Sequence, residues 1–119
     1  MLVIDDEEIV RRVCTRLLHA HDVATAEADG GPAGLALFRA NPTAYSLVLL
    51  DLAMPEMTGA ECFRLLREVD PTIPIVLMSG FPKDQSVEEL LALGRAAFLP
   101  KPFVRSALIE ALTSVAGAS

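Results

Sequence analysis

Short, wholly apolar runs alternating with amphipathic stretches set the tightest limit on how this chain folds. Residues 1–4 (Met-Leu-Val-Ile), 47–50 (Leu-Val-Leu-Leu) and 75–78 (Ile-Val-Leu-Met) carry no polar side chain. Four residues are too few for an independent helix. The absence of polar/apolar alternation suits strands buried on both faces of a sheet. A more polar segment at 23–27 and a short run at 97–99 complete a set of five predicted strands.

Helical patterns fill the gaps. After Asp5-Asp6-Glu7-Glu8, two rows at i, i+4 spacing (Ile9, Val13, Leu17 and Val10, Cys14, Leu18) predict an amphipathic helix, with acidic residues where its macrodipole favours them. Asp29-Gly30-Gly31 reads as a turn, and Pro32 suits the first position of a helix reaching about Ala40. Residues 59–69 carry Cys62, Phe63, Leu66 and Val69 on one face. Val87, Leu90 and Leu91 mark a fourth helix stopped near Gly94. Val104, Leu108, Leu112 and Val115 mark a fifth, whose Ala-Gly-Ala-Ser ending reads as frayed.

Regular strand–helix alternation implies parallel strands, right-handed crossovers and helices on both faces. The less apolar second and fifth strands belong at the edges, which gives the order 2-1-3-4-5. The expectation is an α/β, flavodoxin-like (βα)5 three-layer sandwich forming one domain over residues 1–119.

Composition narrows the function classes. Hydrophobic residues make up 52% and aromatics 5%, with no Trp, so the core should be aliphatic. With a net charge of −6 and no basic run, direct nucleic-acid binding is not expected. Cys14 and Cys62 fall within helical patterns without metal-ligand spacing and read as small buried hydrophobes in a reducing compartment. No leader and no apolar run near the length of a membrane span is visible, so a cytoplasmic location is expected, with no membrane partner.

In this topology the carboxyl ends of strands 1, 3, 4 and 5 converge on one crevice. They deliver Asp5 and Asp6, Asp51, Ser79 and Lys101. Alone, each has an ordinary reading: Asp5-Asp6 as a helix cap, Asp51 as a turn initiator before Met54-Pro55, Ser79-Gly80 as a turn, Lys101-Pro102 as a helix start. Together they make a problem of charge. At an effective dielectric near 20, two unit charges at 4 Å repel by roughly 4 kcal/mol. One lysine cannot neutralise three acids. A hard divalent cation such as Mg2+ (or Mn2+) can, through carboxylate oxygens, a backbone carbonyl and water.

The segments Leu2-Val3-Ile4-Asp5-Asp6-Glu7, Leu50-Asp51-Leu52-Ala53-Met54-Pro55 with Gly59, Met78-Ser79-Gly80 and Leu99-Pro100-Lys101-Pro102-Phe103 resemble the receiver domain of two-component response regulators, of the chemotaxis-regulator kind. The resemblance covers essentially the whole chain. It implies that Asp51 is the phosphoacceptor, taking a phosphoryl group from a phosphohistidine. It implies that Asp6, Asp51 and the Ala53 carbonyl bind Mg2+ directly and Asp5 through water. Lys101 and Ser79 would each bind a phosphoryl oxygen, and Ser79 and Phe98 would form the switch that repacks helix 4, strand 5 and helix 5. The Lys101-Pro102 bond is expected to be cis.

The implied partner is a histidine kinase or histidine phosphotransfer domain, with homodimerisation through helix 4, strand 5 and helix 5 as a further option. Self-phosphorylation and autodephosphorylation, not turnover, would be its only catalysis. Met78-Ser79-Gly80-Phe81 and Phe63-Arg64-Leu65-Leu66-Arg67 are similar to receivers attached to hybrid sensor histidine kinases.

Two departures from the family pattern stand out. Asp29-Gly30-Gly31-Pro32-Ala33-Gly34 has extra glycine and a proline, so helix 2 is expected to start late or irregularly. Ala53 and Phe81 occupy positions that govern water access to an acyl phosphate, and their sizes pull in opposite directions. An aspartyl-nucleophile phosphatase or phosphotransferase is the competing reading. Ala53 counts against it, because that chemistry asks for an acid two residues after the nucleophile.

Overall fold

In the computed structural model, which describes residues 1–21 and 23–116, the apolar runs pair as a five-stranded parallel sheet in the order β2-β1-β3-β4-β5. Along the chain the elements are β1 (Leu2–Ile4), α1 (Glu8–His19), β2 (Ala26–Ala28), α2 (Gly31–Ala40), β3 (Val48–Asp51), α3 (Gly59–Val69), β4 (Ile75–Ser79), α4 (Gln85–Ala92), β5 (Ala96–Pro100) and α5 (Arg105–Ala116). A 3-10 turn, Pro42–Ala44, precedes β3. The flavodoxin-like (βα)5 architecture and strand order are as expected. The Ala-Gly-Ala-Ser ending lies almost wholly outside the described residues.

The three central strands show why their sequences are uniformly apolar. Leu2, Ile4, Val48, Leu50, Ile75 and Leu77 pack with Leu35, Phe38, Phe63, Leu66 and Leu90 of α2, α3 and α4. The intervening Val3, Leu49, Val76 and Met78 pack with Cys14 and Leu18 of α1 and Leu108, Leu112 and Val115 of α5. Both faces are therefore dry. Each fully buried Leu, Ile or Val contributes about 1.5–3 kcal/mol, and alternate residues serve opposite cores.

Helix starts follow local chemistry. Thr58 caps α3, its Oγ1 accepting from the Glu61 amide at 3.1 Å. Asp84 caps α4 by accepting from the Val87 amide at 3.0 Å. Each such cap is worth about 1 kcal/mol.

Several boundaries depart from the sequence reading. β2 is Ala26–Ala28, not 23–27, because the Val23 amide donates to Leu18 O at the end of α1 and only Ala26 onward pairs with β1. α2 begins regularly at Gly31, neither late nor irregular. Its glycines permit close approach: a Cβ on Gly31 would meet Met57 at 2.8 Å, and one on Gly34 would meet Ile4 at 2.4 Å. The two apolar rows on α1 are not equally buried, although Leu17 of the outer row packs partly against the core. Cys14 and Leu18 are buried, whereas Ile9 and Val13 are 77% and 42% exposed. Val104 lies before α5 and faces solvent.

At the amino end of the sheet, Arg67 of α3 closes the fold with its guanidinium. Nη1 donates to Ile73 O at 2.6 Å, and Nη2 donates to Gly94 O and Arg95 O at 2.9 and 3.0 Å. The same group stacks over Phe63 at 5.0 Å. Arg95 sits at φ 54°, so this turn is left-handed at a non-glycine residue, following Gly94 at φ 90°.

Candidate functional site

The carboxyl ends of β1, β3 and β4 and the segment after β5 bring Asp5, Asp51, Ser79 and Lys101 to one edge. Asp51 is the last residue of β3, opposite Met78 of β4. Its depth in the sheet leaves it 2% exposed, and Asp5 is wholly buried. Asp6 is exposed at the rim. Carboxylate oxygens of Asp5, Asp6 and Asp51 all lie within 4.8 Å of one another.

Lys101 is the cation of this nest. Its Nζ donates to Asp5 Oδ2 at 2.8 Å and lies 3.2 Å from Asp51 Oδ1 and 3.7 Å from Glu7 Oε1. Burial works against its charge, but the Asp5 carboxylate and then Asp51 hold its pKa above the ordinary lysine value. The Lys101-Pro102 bond is cis, as expected. The Lys101 amide also donates to Ser79 O at 2.7 Å, fastening the lysine segment to the end of β4.

Burial, and next the neighbouring Asp5 charge, push the Asp51 carboxyl up to about 6; Lys101 and the Ala53 amide, 3.3 Å from Oδ1, pull the other way. One lysine thus leaves the nest short of positive charge. The donors are hard, anionic oxygens gathered within reach of one small ion, and two of them are dry. That set fits a Mg2+-type cation better than a soft metal, since neither sulfur nor imidazole takes part.

Capping does not account for the acid pair. Helix α1 takes Glu7 as its N-cap residue with no side-chain cap. Asp5 Oδ1 instead accepts from the Glu7 amide at 2.9 Å, while its Oδ2 serves Lys101. Among the described residues, Asp6 has no such partner.

The Ser79 hydroxyl, 5% exposed, accepts from the Phe81 amide at 3.0 Å. It borders a groove of about 360 Å³ whose walls include Ala53, Thr58, Phe81 and Asp84. Phe81 is 70% exposed and lines this groove together with the exposed Ala53. Phe98 lies on β5 opposite Leu77, two residues before the partner of Ser79, and is half-buried. The Lys83 ammonium sits 6.0 Å above its ring.

Both cysteines are free and buried, as read from their patterns, and burial pushes each thiol up to about 12. Two residues at the site escaped the sequence reading as site groups: Glu7, through its ion pair with Lys101, and Arg11, whose Nη1 donates to the Asp5 backbone carbonyl at 2.7 Å. No spacing in the sequence marks either, because Glu7 meets Lys101 across the fold and Arg11 acts through a backbone carbonyl.

A second groove, about 530 Å³, runs from Lys101 and Gly80 along Glu7, Ile9, Val13 and Phe103. No helix among the described residues is long and apolar enough to cross a membrane.

Comparison with known proteins gives one consistent answer. The family model for the response regulator receiver domain matches residues 1–113. The sensor kinase CckA of Brucella abortus is 33% identical over 103 residues, covering 87% of this chain but 11% of that protein. The chemotaxis protein CheY of Treponema pallidum is 29% identical over 117 residues, covering 97% of this chain and 81% of its own length. Among solved structures, the CheX–CheY–BeF3–Mg2+ complex of Borrelia burgdorferi aligns with a TM-score of 0.89 at 25% identity, covering 96% of this chain and 86% of that one.

Proposed function

The chain belongs to the response regulator receiver domain family of two-component systems, and we propose that it works as a phosphoacceptor whose Asp51 takes a phosphoryl group from a phosphohistidine. One observation carries the assignment of Asp51. A nearly inaccessible carboxylate at the end of the central strand shares a lysine with Asp5 and lies within ion-binding distance of Asp6.

A carboxylate oxygen of Asp51 attacks phosphorus as the P–N bond to the donor imidazole breaks, and that bond's electron pair stays on the ring nitrogen. Such transfers ask mainly for in-line positioning and cancellation of charge on the equatorial oxygens. Lys101, already held between two acids, turns its ammonium to one of those oxygens. Ser79 donates its hydroxyl to another, giving up nothing to do so, because its present bond uses the oxygen as acceptor. Asp6, Asp51 and the Ala53 carbonyl would hold Mg2+, with Asp5 acting through water. When bound, the ion supplies the positive charge that the nest lacks.

The acyl phosphate adds nearly two negative charges and new acceptor oxygens beside Ser79. Movement of Ser79 toward them and inward rotation of Phe98 would repack α4, β5 and α5, with the Lys83–Phe98 contact broken in the process.

The partner we assign is a histidine kinase or histidine phosphotransfer domain. Ile9, Val10 and Val13, with Phe103, form an apolar margin beside Lys101 at the acid nest. A helical surface seated there would bring its histidine to Asp51. The chain reads as a single receiver domain over residues 1–119 acting in the cytoplasm, and it spans only 11% of CckA. Its use as the receiver of a hybrid kinase belongs to the same proposal.

Incubation with acetyl phosphate and Mg2+, followed by intact-mass measurement, tests the chemistry. Wild type should gain one phosphoryl group, and Asp51→Asn or wild type in EDTA should gain none. Equal phosphorylation of Asp51→Asn would remove Asp51 from its role.

A further inference from the structure

We propose that Arg11 is a positioning residue for the metal site: by gripping the backbone carbonyl of Asp5 it sets the Asp5–Asp6 peptide plane and so aims the Asp6 carboxylate into the cluster. The inference rests on reading Asp5, Asp6 and Asp51 as the Mg2+ site.

Asp6 is where the site is weakest. It is exposed, and no hydrogen bond among the described residues orients its carboxylate. Its direction therefore depends on the backbone that carries it. That backbone is held on both sides of Asp5. The Asp5 amide donates to Ala28 O at 3.1 Å, and the Asp5 carbonyl accepts from Arg11 Nη1 at 2.7 Å. The carbonyl belongs to the same rigid plane as the Asp6 nitrogen, so fixing the oxygen fixes the rotation of that plane.

Arg11 is itself braced. Its Nε pairs with Glu27 Oε1 at 3.3 Å, and Glu27 Oε2 accepts from Thr15 Oγ1 at 3.0 Å. The Arg11 side chain is only 16% exposed. The planar guanidinium fork thus spans the loop after β1 and the edge strand β2, a geometry that a lysine's single ammonium cannot reproduce.

Charge and position predict opposite signs, which makes the role testable. By Coulomb's law alone, a cation near a dication weakens binding, so deleting Arg11 should tighten Mg2+ binding. A positioning role predicts weaker binding. Groups that orient metal ligands typically change affinity by about 10–100-fold when removed.

The experiment is a Mg2+ titration of the whole chain, read from backbone amide NMR shifts of Asp6, Leu52 and Ala53, with thermal melts in EDTA alongside. Arg11→Met should weaken Mg2+ binding by about tenfold or more. Glu27→Gln removes the charge from the other end of the same brace but leaves the Asp5 carbonyl bonded, and should stay within about twofold of wild type even if its melting temperature falls equally. Arg11→Met that binds as tightly as wild type or tighter overturns the assignment. So does Glu27→Gln losing as much affinity as Arg11→Met, which would reduce Arg11 to a strut between α1 and β2.

Should Arg11→Met fail to fold, Arg11→Lys decides. Weaker binding than wild type supports the role, and equal binding overturns it. Wild type that takes up no Mg2+ sinks the receiver chemistry and this inference with it. Wild type that binds, with the Arg11 variants unaffected, sinks only the role of Arg11.

Discussion

Replacing Asp51 by Asn should make the metal-free protein more stable, because the charge on Asp51 is a cost to the native fold. The neighbourhood raises the Asp51 carboxyl from 3.8 to about 6. The sign follows from proton linkage. Between those two values the native state retains a proton that the unfolded chain has lost, so stability falls as pH rises through this window. Below it both states are neutral at this position and there is no penalty. Above it the penalty is complete, at about 3 kcal/mol for a carboxyl moved from 3.8 to about 6.

Asparagine keeps the shape and removes the charge. Asp51→Asn should therefore gain about 3 kcal/mol in EDTA at about pH 8, equivalent to roughly 10 °C in melting temperature for a chain of this size. The advantage should shrink toward zero by about pH 4. Mg2+ should narrow it from the other side, since a ligand at about a hundredfold its Kd stabilises wild type by about 2.7 kcal/mol. Urea unfolding followed by circular dichroism across this pH range, with and without Mg2+, reads all three. An Asp51→Asn protein no more stable than wild type in EDTA at about pH 8 would refute the idea of a crowded, dry nest. A gap that ignores pH would refute its electrostatic origin.

Lys101→Met removes the group lying 2.8 Å from Asp5 and 3.2 Å from Asp51, leaving two buried acids unpaired. In EDTA above about pH 6 it should lose about 3–5 kcal/mol, part of which Mg2+ restores, as urea midpoints would show. Gly59→Ala places a Cβ 2.4 Å from Leu52 Cα and 2.5 Å from Asp51 O, both backbone atoms that cannot swing aside. It should cost about 1–3 kcal/mol and weaken Mg2+ binding. Gly80→Ala, where a Cβ would meet nothing within 4 Å, should stay within about 0.5 kcal/mol of wild type in the same titration.

Much of the fold was legible because its signals are local. Apolar tetrapeptides bounded by acids, turns and prolines leave few alternatives to a parallel sheet, and strand polarity ranks centre against edge. The strand-end residues were equally visible, since topology alone takes Asp5, Asp51, Ser79 and Lys101 to one side. What the linear pattern hid were choices made by distant partners. The Ile9/Val13 row and the Cys14/Leu18 row of α1 look equally apolar, and only packing into the core against the sheet decides which is buried. The register of β2 depends on Val23 finishing α1 through Leu18 O, a bond that no strand propensity reveals. The glycines of α2 read as a disturbance but serve close packing against Ile4 and Met57. Arg11 and Arg67 act through backbone carbonyls, an acceptor every residue owns, so no sequence pattern marks their targets.

The Arg67 contacts bear on how α4 can move. The turn that leaves its carboxyl end is moored to α3 through the carbonyls of Gly94 and Arg95, whereas its first turn follows an exposed loop beginning at Gly80. A helix anchored at one end swings and does not slide. A displacement of α4 beside Ser79 is therefore largest at its first turn and dies out toward Arg67. The helix is a lever, with its fulcrum at the end of the sheet farthest from the acids.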